Sequence, residues 1–211
     1  MPILSVNKTR EFEDGRIALI FCFGIPGRGL RPFFFLEDLI MRKSTRFTVH
    51  AALIAALYVV LTHLQNLLLP DTTSFAIQFR LSEALNVLAL FTPAAIPGLS
   101  VGCLLFNITN AGSMPLDILL GTLATALATA AMWLTRKVTV KGYPLLGMLM
   151  PALCNAVLVG WELTLYYSGG FLFNAACVAA GELVVLLAAG TILFYAIKTR
   201  HLDERLFGAK R

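Results

Sequence analysis

Gln78-Phe79-Arg80-Leu81-Ser82-Glu83-Ala84-Leu85 sets an arginine and a glutamate three residues apart inside a long apolar region. On a helix, positions i and i+3 share a face, so the two charges are expected to touch. An ionisable side chain within a membrane segment is costly and points to function. The meaning of this stretch therefore turns on whether the chain around it lies in a bilayer.

Composition answers that question. The chain has 211 residues, is 58% hydrophobic and 14% charged, and its mean hydropathy is +0.78. A water-soluble domain carries nearer a quarter charged residues. The expected class is an all-α integral membrane protein of one domain. The net charge of +5 bears on loop placement rather than on nucleic acid. Cys22, Cys103, Cys154 and Cys177 are scattered with no C-x-x-C pair, and read as small apolar residues.

Residues 1–40 differ from the rest. They mix acids such as Glu11, Glu13 and Asp14 with basic residues around a broken apolar run at 17–25. That run is too short to span a bilayer, which needs ~20 apolar residues. Met41-Arg42-Lys43-Ser44-Thr45-Arg46 then leads into a first span. Residues 1–40 are expected to be a non-native or disordered extension, 41–200 a six-helix membrane domain, and 201–211 a charged tail. The expected spans are 47–68, 77–92, 94–110, 116–134, 145–167 and 171–197, the second and third being short. With the N-terminus inside, Arg42, Lys43, Arg46, Arg136, Lys137, Lys141, Lys198, Arg200, Arg205, Lys210 and Arg211 all fall on the cytoplasmic side. The positive-inside rule then places both termini in the cytoplasm and the protein in the cell membrane.

In that frame the acids converge. Glu83, Asp117, Glu162 and Glu182 come from four different spans, and all fall at mid-membrane or on the outer side. Asn107 and Asn155 add amides at similar depth. Each has a plain structural account: Arg80 can neutralise Glu83, and Asp117 can be a helix N-terminal acid. Glu162 can reach the outer interface, and the asparagines can join helices. Glu182 is hardest to explain so. A charge at a helix centre costs about 2.5–3.5 kcal/mol on insertion scales. Repeating that cost at one depth points to a polar pocket open to the exterior. No metal-ligand spacing, P-loop or Ser/His/Asp pattern exists, so no cofactor, metal or enzymatic activity is expected. Energy for uphill transport must then come from a partner or an ion gradient. Span one also carries two small-xxx-small pairs, Ala51/Ala55 and Ala52/Ala56, which would let a partner helix approach closely.

These segments resemble a known family. Thr45 to Thr62, Ile77 to Leu85, Pro93 to Leu99, Val101 to Asn107, Asp117-Ile118, Gly121 to Thr125, Asn155-Ala156 and Gly181 to Val184 resemble, in order, the QueT-like queuosine-precursor transporters. These are substrate-binding S components of energy-coupling factor (ECF) transporters. The resemblance implies six transmembrane helices, a ligand site in the outer half, and a first helix that docks a transmembrane coupling subunit through its small residues. It also implies two cytoplasmic ATPase subunits, which are other chains. The implied ligand is a 7-deazaguanine, such as the aminomethyl precursor of queuosine. Glu182 or Glu83 would hold its base edge, Glu162 or Asp117 its amine, and Gln78, Arg80, Asn107 or Asn155 its carbonyl. Phe79, Trp161 and Tyr166 would offer ring faces. Two other functions remain open: an S component for another small vitamin, and a small intramembrane lipid-modifying enzyme.

Overall fold

A computed structural model describes residues 3–11, 17–25, 28–32, 43–69, 79–110, 113–166 and 170–203. The chain divides into two compact units, Met1–Arg46 and Phe47–Arg211. The first unit holds an antiparallel sheet of β1 (Ile3–Glu11), β2 (Ile17–Ile25) and β3 (Arg28–Pro32), in that order. Leu4 stands opposite Phe23 and Thr9 opposite Leu19, with a register shift between Val6 and Thr9. The sequence reading expected a non-native or disordered extension over 1–40. A nine-residue run rich in Ile and Phe cannot cross a bilayer, but it suits a pleated strand.

In the second unit the described elements are helical, apart from an isolated bridge between Val140 and Tyr143. They are α1 (Lys43–Leu68), α2 (Leu81–Leu90), α3 (Ala95–Thr109), α4 (Asp117–Thr135), α5 (Leu145–Tyr166) and α6 (Phe171–Thr199). Helices α1, α4, α5 and α6 are long and apolar enough to cross a membrane. Leu53, Val60, Leu67, Leu134, Leu172 and Ile192 are exposed, while Glu83, Asn155, Glu162 and Glu182 are buried. An apolar outside over a polar inside is stable in lipid and not in water. The chain is a multi-pass membrane protein.

Helix α2 is the unusual element. It is a 3-10 helix of ten residues, where such runs seldom exceed three or four. At a rise of about 2.0 Å per residue it spans only ~20 Å. Residues Ser82 to Leu90 are all buried, and α2 touches α3, α4, α5 and α6. Arg80, just before it, is extended at φ −107° and ψ 108°. Non-helical backbone at membrane depth is tolerated only where protein covers it or a cavity needs it.

Local irregularities cluster around α2. Helix α4 opens with a π-helical turn, Asp117–Gly121, and α6 carries another at Leu186–Gly190. Such turns recur at functional sites because they re-aim neighbouring side chains. In α5, Pro151 lacks the N–H that would bond the Gly147 carbonyl, which loosens the turn before Asn155. Helix α3 meets α1 at two glycines. A Cβ on Gly98 would sit 2.8 Å from the Ala51 carbonyl oxygen, and one on Gly102 would sit 2.8 Å from Tyr58 Cβ. The spacing Gly98-x-x-x-Gly102 thus receives the Ala51/Ala55 face of α1.

The ends of α2, α4 and α6 meet at one end of the unit. Leu90, Phe91, Arg136, Phe194 and Lys198 line a cleft there of about 180 Å³. A tight turn with Lys141 at φ 51° and Gly142 at φ 80° joins α4 to α5 across the Val140–Tyr143 bridge. Both central residues have positive φ, so a residue without a Cβ is favoured at Gly142. Lys198 Nζ donates to the Gly142 carbonyl at 3.3 Å, pinning the turn to α6.

Candidate ligand site

A narrow cavity of about 10 Å³, room for about one water, lies between α2 and the α4–α5–α6 group. Arg80, Glu83, Thr125, Asn155 and Glu182 supply its polar lining, and Gly121, Val159 and Val178 the rest. Its two walls differ in kind.

The first wall is built from α1 and α2. Tyr58, Thr62 and Gln65 follow one another at spacings of four and three on α1, so they share its inward face. Tyr58 Oη donates to Glu83 Oε1 at 2.7 Å. Asn86 Nδ2 donates to Glu83 Oε2 at 2.7 Å. Thr62 Oγ1 is hydrogen-bonded to Ser82 Oγ at 2.8 Å. Gln65 accepts from Leu81 N at 2.7 Å and donates to the Phe79 carbonyl. The segment leading into α2 is thereby held to α1 through side chains, and both oxygens of Glu83 are engaged.

The second wall is left wanting. Asn155 Nδ2 donates to Glu182 Oε1 at 2.5 Å, but Glu182 Oε2 is buried without a partner. Glu162 is 1% exposed, and neither carboxylate oxygen accepts a hydrogen bond. Asp117 Oδ2 accepts from Met114 N at 2.7 Å, the short back-bond of a helix start. Asn107 Nδ2 donates to the Asp117 carbonyl at 2.7 Å, leaving Asn107 Oδ1 buried and open. The unpartnered buried atoms of this region are thus carboxylate or amide oxygens, together with the Thr122 hydroxyl, and of their residues Glu182 alone lines the cavity. No side-chain nitrogen is among them. A buried acceptor left empty costs about 1–3 kcal/mol, and more when charged. The wall is complementary to a guest that brings donors.

Of the residues singled out from sequence, Arg80, Glu83, Asn155 and Glu182 line the cavity, while Asn107, Asp117 and Glu162 do not, and four points differ from the expectation. The i,i+3 stacking of Arg80 on Glu83 does not hold, because Arg80 is extended and only Glu83 is helical. Its guanidinium lies over the Phe106 ring, 5.7 Å from the centroid. Trp161 and Tyr166 are 54% and 38% exposed and do not line the cavity. The Ala51/Ala55 pair is consumed within the bundle by Gly98 and Gly102, while Ala52 and Ala56 stay exposed. Glu83, expected to be open to ligand, already has a partner on each oxygen. Gln78 lies outside the described residues. Tyr58, Thr62, Asn86 and Phe106 were not anticipated. The spacing of Tyr58, Thr62 and Gln65 on one face of span one was the signal that could have found three of the wall's donors.

The chain is thus a small helical membrane protein with two acids lining a crevice beside a short buried helix. The QueT transporter family profile matches residues 48–199, and the chain belongs to that family. A similar curated protein is the queuosine precursor transporter QueT of Lactococcus lactis subsp. cremoris (strain MG1363). The two are 37% identical over 87 residues, or 40% of this chain and 48% of the relative. The matched region thus spans about half the relative's length. No solved structure matches the chain. The family is described as one of transporters.

Proposed function

We propose that this chain is the substrate-binding subunit for uptake of a queuosine precursor, a 7-deazaguanine. One observation carries the reading: the unpartnered buried atom in the cavity's lining, Glu182 Oε2, is an acceptor. A deazaguanine offers adjacent donors at N1–H and the exocyclic amine, and a carboxylate takes both with charge-assisted strength. Glu182 is the choice for that edge, since Oε2 is free and Asn155 fixes the group. Arg80 supplies a donor for the ring carbonyl, and the lining groups Val159 and Val178 accept the flat ring. The printed name of the Lactococcus relative agrees with this substrate class. An anionic vitamin would meet the carboxylates of Glu83 and Glu182, which disfavours it.

The energy source is a partner module, namely a transmembrane coupling subunit with two cytoplasmic ATPases. Exposed Ala52 and Ala56, among the exposed Leu53, Leu57 and Val60, form the docking face on α1. Six crossings with both termini in the cytoplasm are supported by the common cleft at the ends of α2, α4 and α6. The basic residues Arg136 and Lys198 line that cleft, as the positive-inside rule requires of a cytoplasmic face. A mature chain starting at Met41 is in keeping with a family match that begins at residue 48; intact mass of the membrane-extracted protein tests it.

Tracer uptake of 7-aminomethyl-7-deazaguanine, with and without the coupling module, tests the function. Uptake should depend on the module, and the purified chain should bind the compound below micromolar concentration. Uptake that ignores the module, or a chain that binds no deazaguanine, would defeat the reading.

A further inference from the structure

The cleft at the ends of α2, α4 and α6 shares no residue with the ligand cavity. Arg136, Thr139, Lys198 and Asp203 are its polar side chains. Phe91 and Phe194 give it an aromatic floor, their ring centroids 5.5 Å apart. Its volume of about 180 Å³ is far above the ~10–15 Å³ that one water needs.

The charged groups reach the cleft through helix ends. Arg136 caps α4, and Lys198 lies in the last turn of α6. The helix dipole favours cations there, whatever else they do. Asp203 has no such account, since a carboxylate just past a helix C-terminus is on the wrong side of that dipole. His201, at φ 51°, takes the left-handed conformation that ends a helix and turns the chain. Two residues later, Asp203 lines the cleft with Oδ1 buried and without a hydrogen-bond partner. Neither cation closes it. Arg136 donates to the Trp133 carbonyl and lies over the indole ring, 3.4 Å from its centroid. Lys198 donates to the Gly142 carbonyl and lies 5.5 Å from the Phe194 centroid. A guanidinium carries five N–H groups and an ammonium three, so each keeps donors beyond these.

Two cations with spare donors thus stand around one empty carboxylate oxygen. An anion alone would meet Asp203, and a cation alone would meet Arg136 and Lys198. A guest that carries both charges answers both sides, provided its cation bears N–H groups. Depth identifies the source. The cleft lies where apolar helices of membrane-crossing length end. Trp133 lies under Arg136, and Tyr143 stacks on Tyr195, as in the aromatic belt at headgroup level. Exposed Leu134 and Ile192 offer apolar surface for acyl chains.

We propose that this cleft binds the phosphoethanolamine headgroup of a membrane phospholipid, with Arg136 and Lys198 on the phosphate and Asp203 on the primary ammonium. Phosphatidylcholine has the same charges but no N–H on its nitrogen, and phosphatidylglycerol has no cation. The site therefore selects phosphatidylethanolamine over both.

Native mass spectrometry of the full chain, released from nanodiscs of these three lipids in equal parts, tests the site. Phosphatidylethanolamine should be retained over each of the others by at least about tenfold, the scale of one hydrogen bond to a charged group. Asp203→Ala should remove the preference over phosphatidylcholine, and Asp203→Glu should keep it. Arg136→Gln should lower retention of phosphatidylethanolamine by a similar factor; if that protein does not fold, the two Asp203 variants decide. Equal retention of the ethanolamine and choline lipids, or a preference that survives Asp203→Ala, overturns the site. So does a stronger hold on phosphatidylglycerol, which marks a plain anion patch, and so does a wild type that retains no lipid, which marks a face for a protein partner. O-phosphoethanolamine at tens of millimolar, added to the chain in phosphatidylcholine nanodiscs, separates the lipid from a free headgroup. No rise in melting temperature over matched sodium chloride supports the lipid. A rise equal to that in phosphatidylethanolamine nanodiscs overturns it.

Discussion

The two walls of the cavity carry similar residues in opposite states. On the α1–α2 wall, Glu83 is closed by Tyr58 and Asn86, and Thr62 by Ser82. Only Asn86 Oδ1 is left open there. On the α4–α5–α6 wall, Glu182 keeps one oxygen free and Glu162 keeps two. The difference separates scaffold from site. A buried carboxylate with two short hydrogen bonds adds rigidity, because moving it would break both. A buried carboxylate with none is stable only with help from a proton or a guest. The first wall also reaches back through Tyr58 to α1, whose outer face carries Ala52 and Ala56. The pocket and the proposed docking face are thus opposite sides of one helix.

That contrast can be broken from the scaffold side first. Ala55→Trp should prevent folding, because Ala55 packs where Gly102 admits no extra atom. Ala52→Trp, on the exposed face one residue from Leu53, should fold and bind ligand yet abolish uptake. Size-exclusion profiles, calorimetry and uptake checks on the two proteins decide it; if both behave alike, the division of the alanine pairs is wrong.

The next largest effect belongs to the open wall. Glu182→Gln should lower ligand affinity at least tenfold, as the loss of a charged hydrogen bond is worth roughly 1.5–3 kcal/mol. Its melting temperature without ligand should hold or rise, because an unpaired buried charge disappears. Unchanged affinity would remove Glu182 from the ligand.

Tyr58→Phe should do the reverse. It leaves Glu83 Oε1 without its donor, at a cost of about 1–3 kcal/mol in stability. Affinity in calorimetry should fall far less than in Glu182→Gln. A Tyr58→Phe protein of normal stability and badly weakened binding would erase the distinction between the walls.

Smallest of all, Trp161→Ala should change affinity by less than about threefold, since the ring lies on the lipid-facing side. A larger loss would bring the ring back into the site.

Much of this was legible along the chain. Apolar runs of bilayer length, broken at Pro70, Pro93, Pro115 and Gly142, specify the membrane class and the positions of six helical segments. Hydrophobic length and the inability of proline to continue a helix act locally, so no knowledge of neighbours is needed. The expected depth of Glu162 and Glu182 followed from the same runs, since 1.5 Å per residue of α-helix converts position into height. A short apolar run such as 17–25 serves a strand as well as a failed span.

What the chain could not say is which carboxylate is spoken for. Glu83 and Glu182 look alike in sequence, each one ionisable residue in an apolar helix. Tyr58, 25 residues from Glu83, and Asn155, 27 residues from Glu182, decide their states. Arg80 at i and Glu83 at i+3 looked like a helical pair, but the 3-10 helix starts after Arg80 and carries Glu83 toward α1. The same holds for the alanines of α1, where Gly98 and Gly102 of another helix claim one pair and leave the other outside. Hydrogen bonds and close packing depend on approach in space between segments far apart in sequence. Local pattern therefore determined the helices and the depth of their charges. Only the tertiary structure decided which of the charges are satisfied and which still wait for a donor.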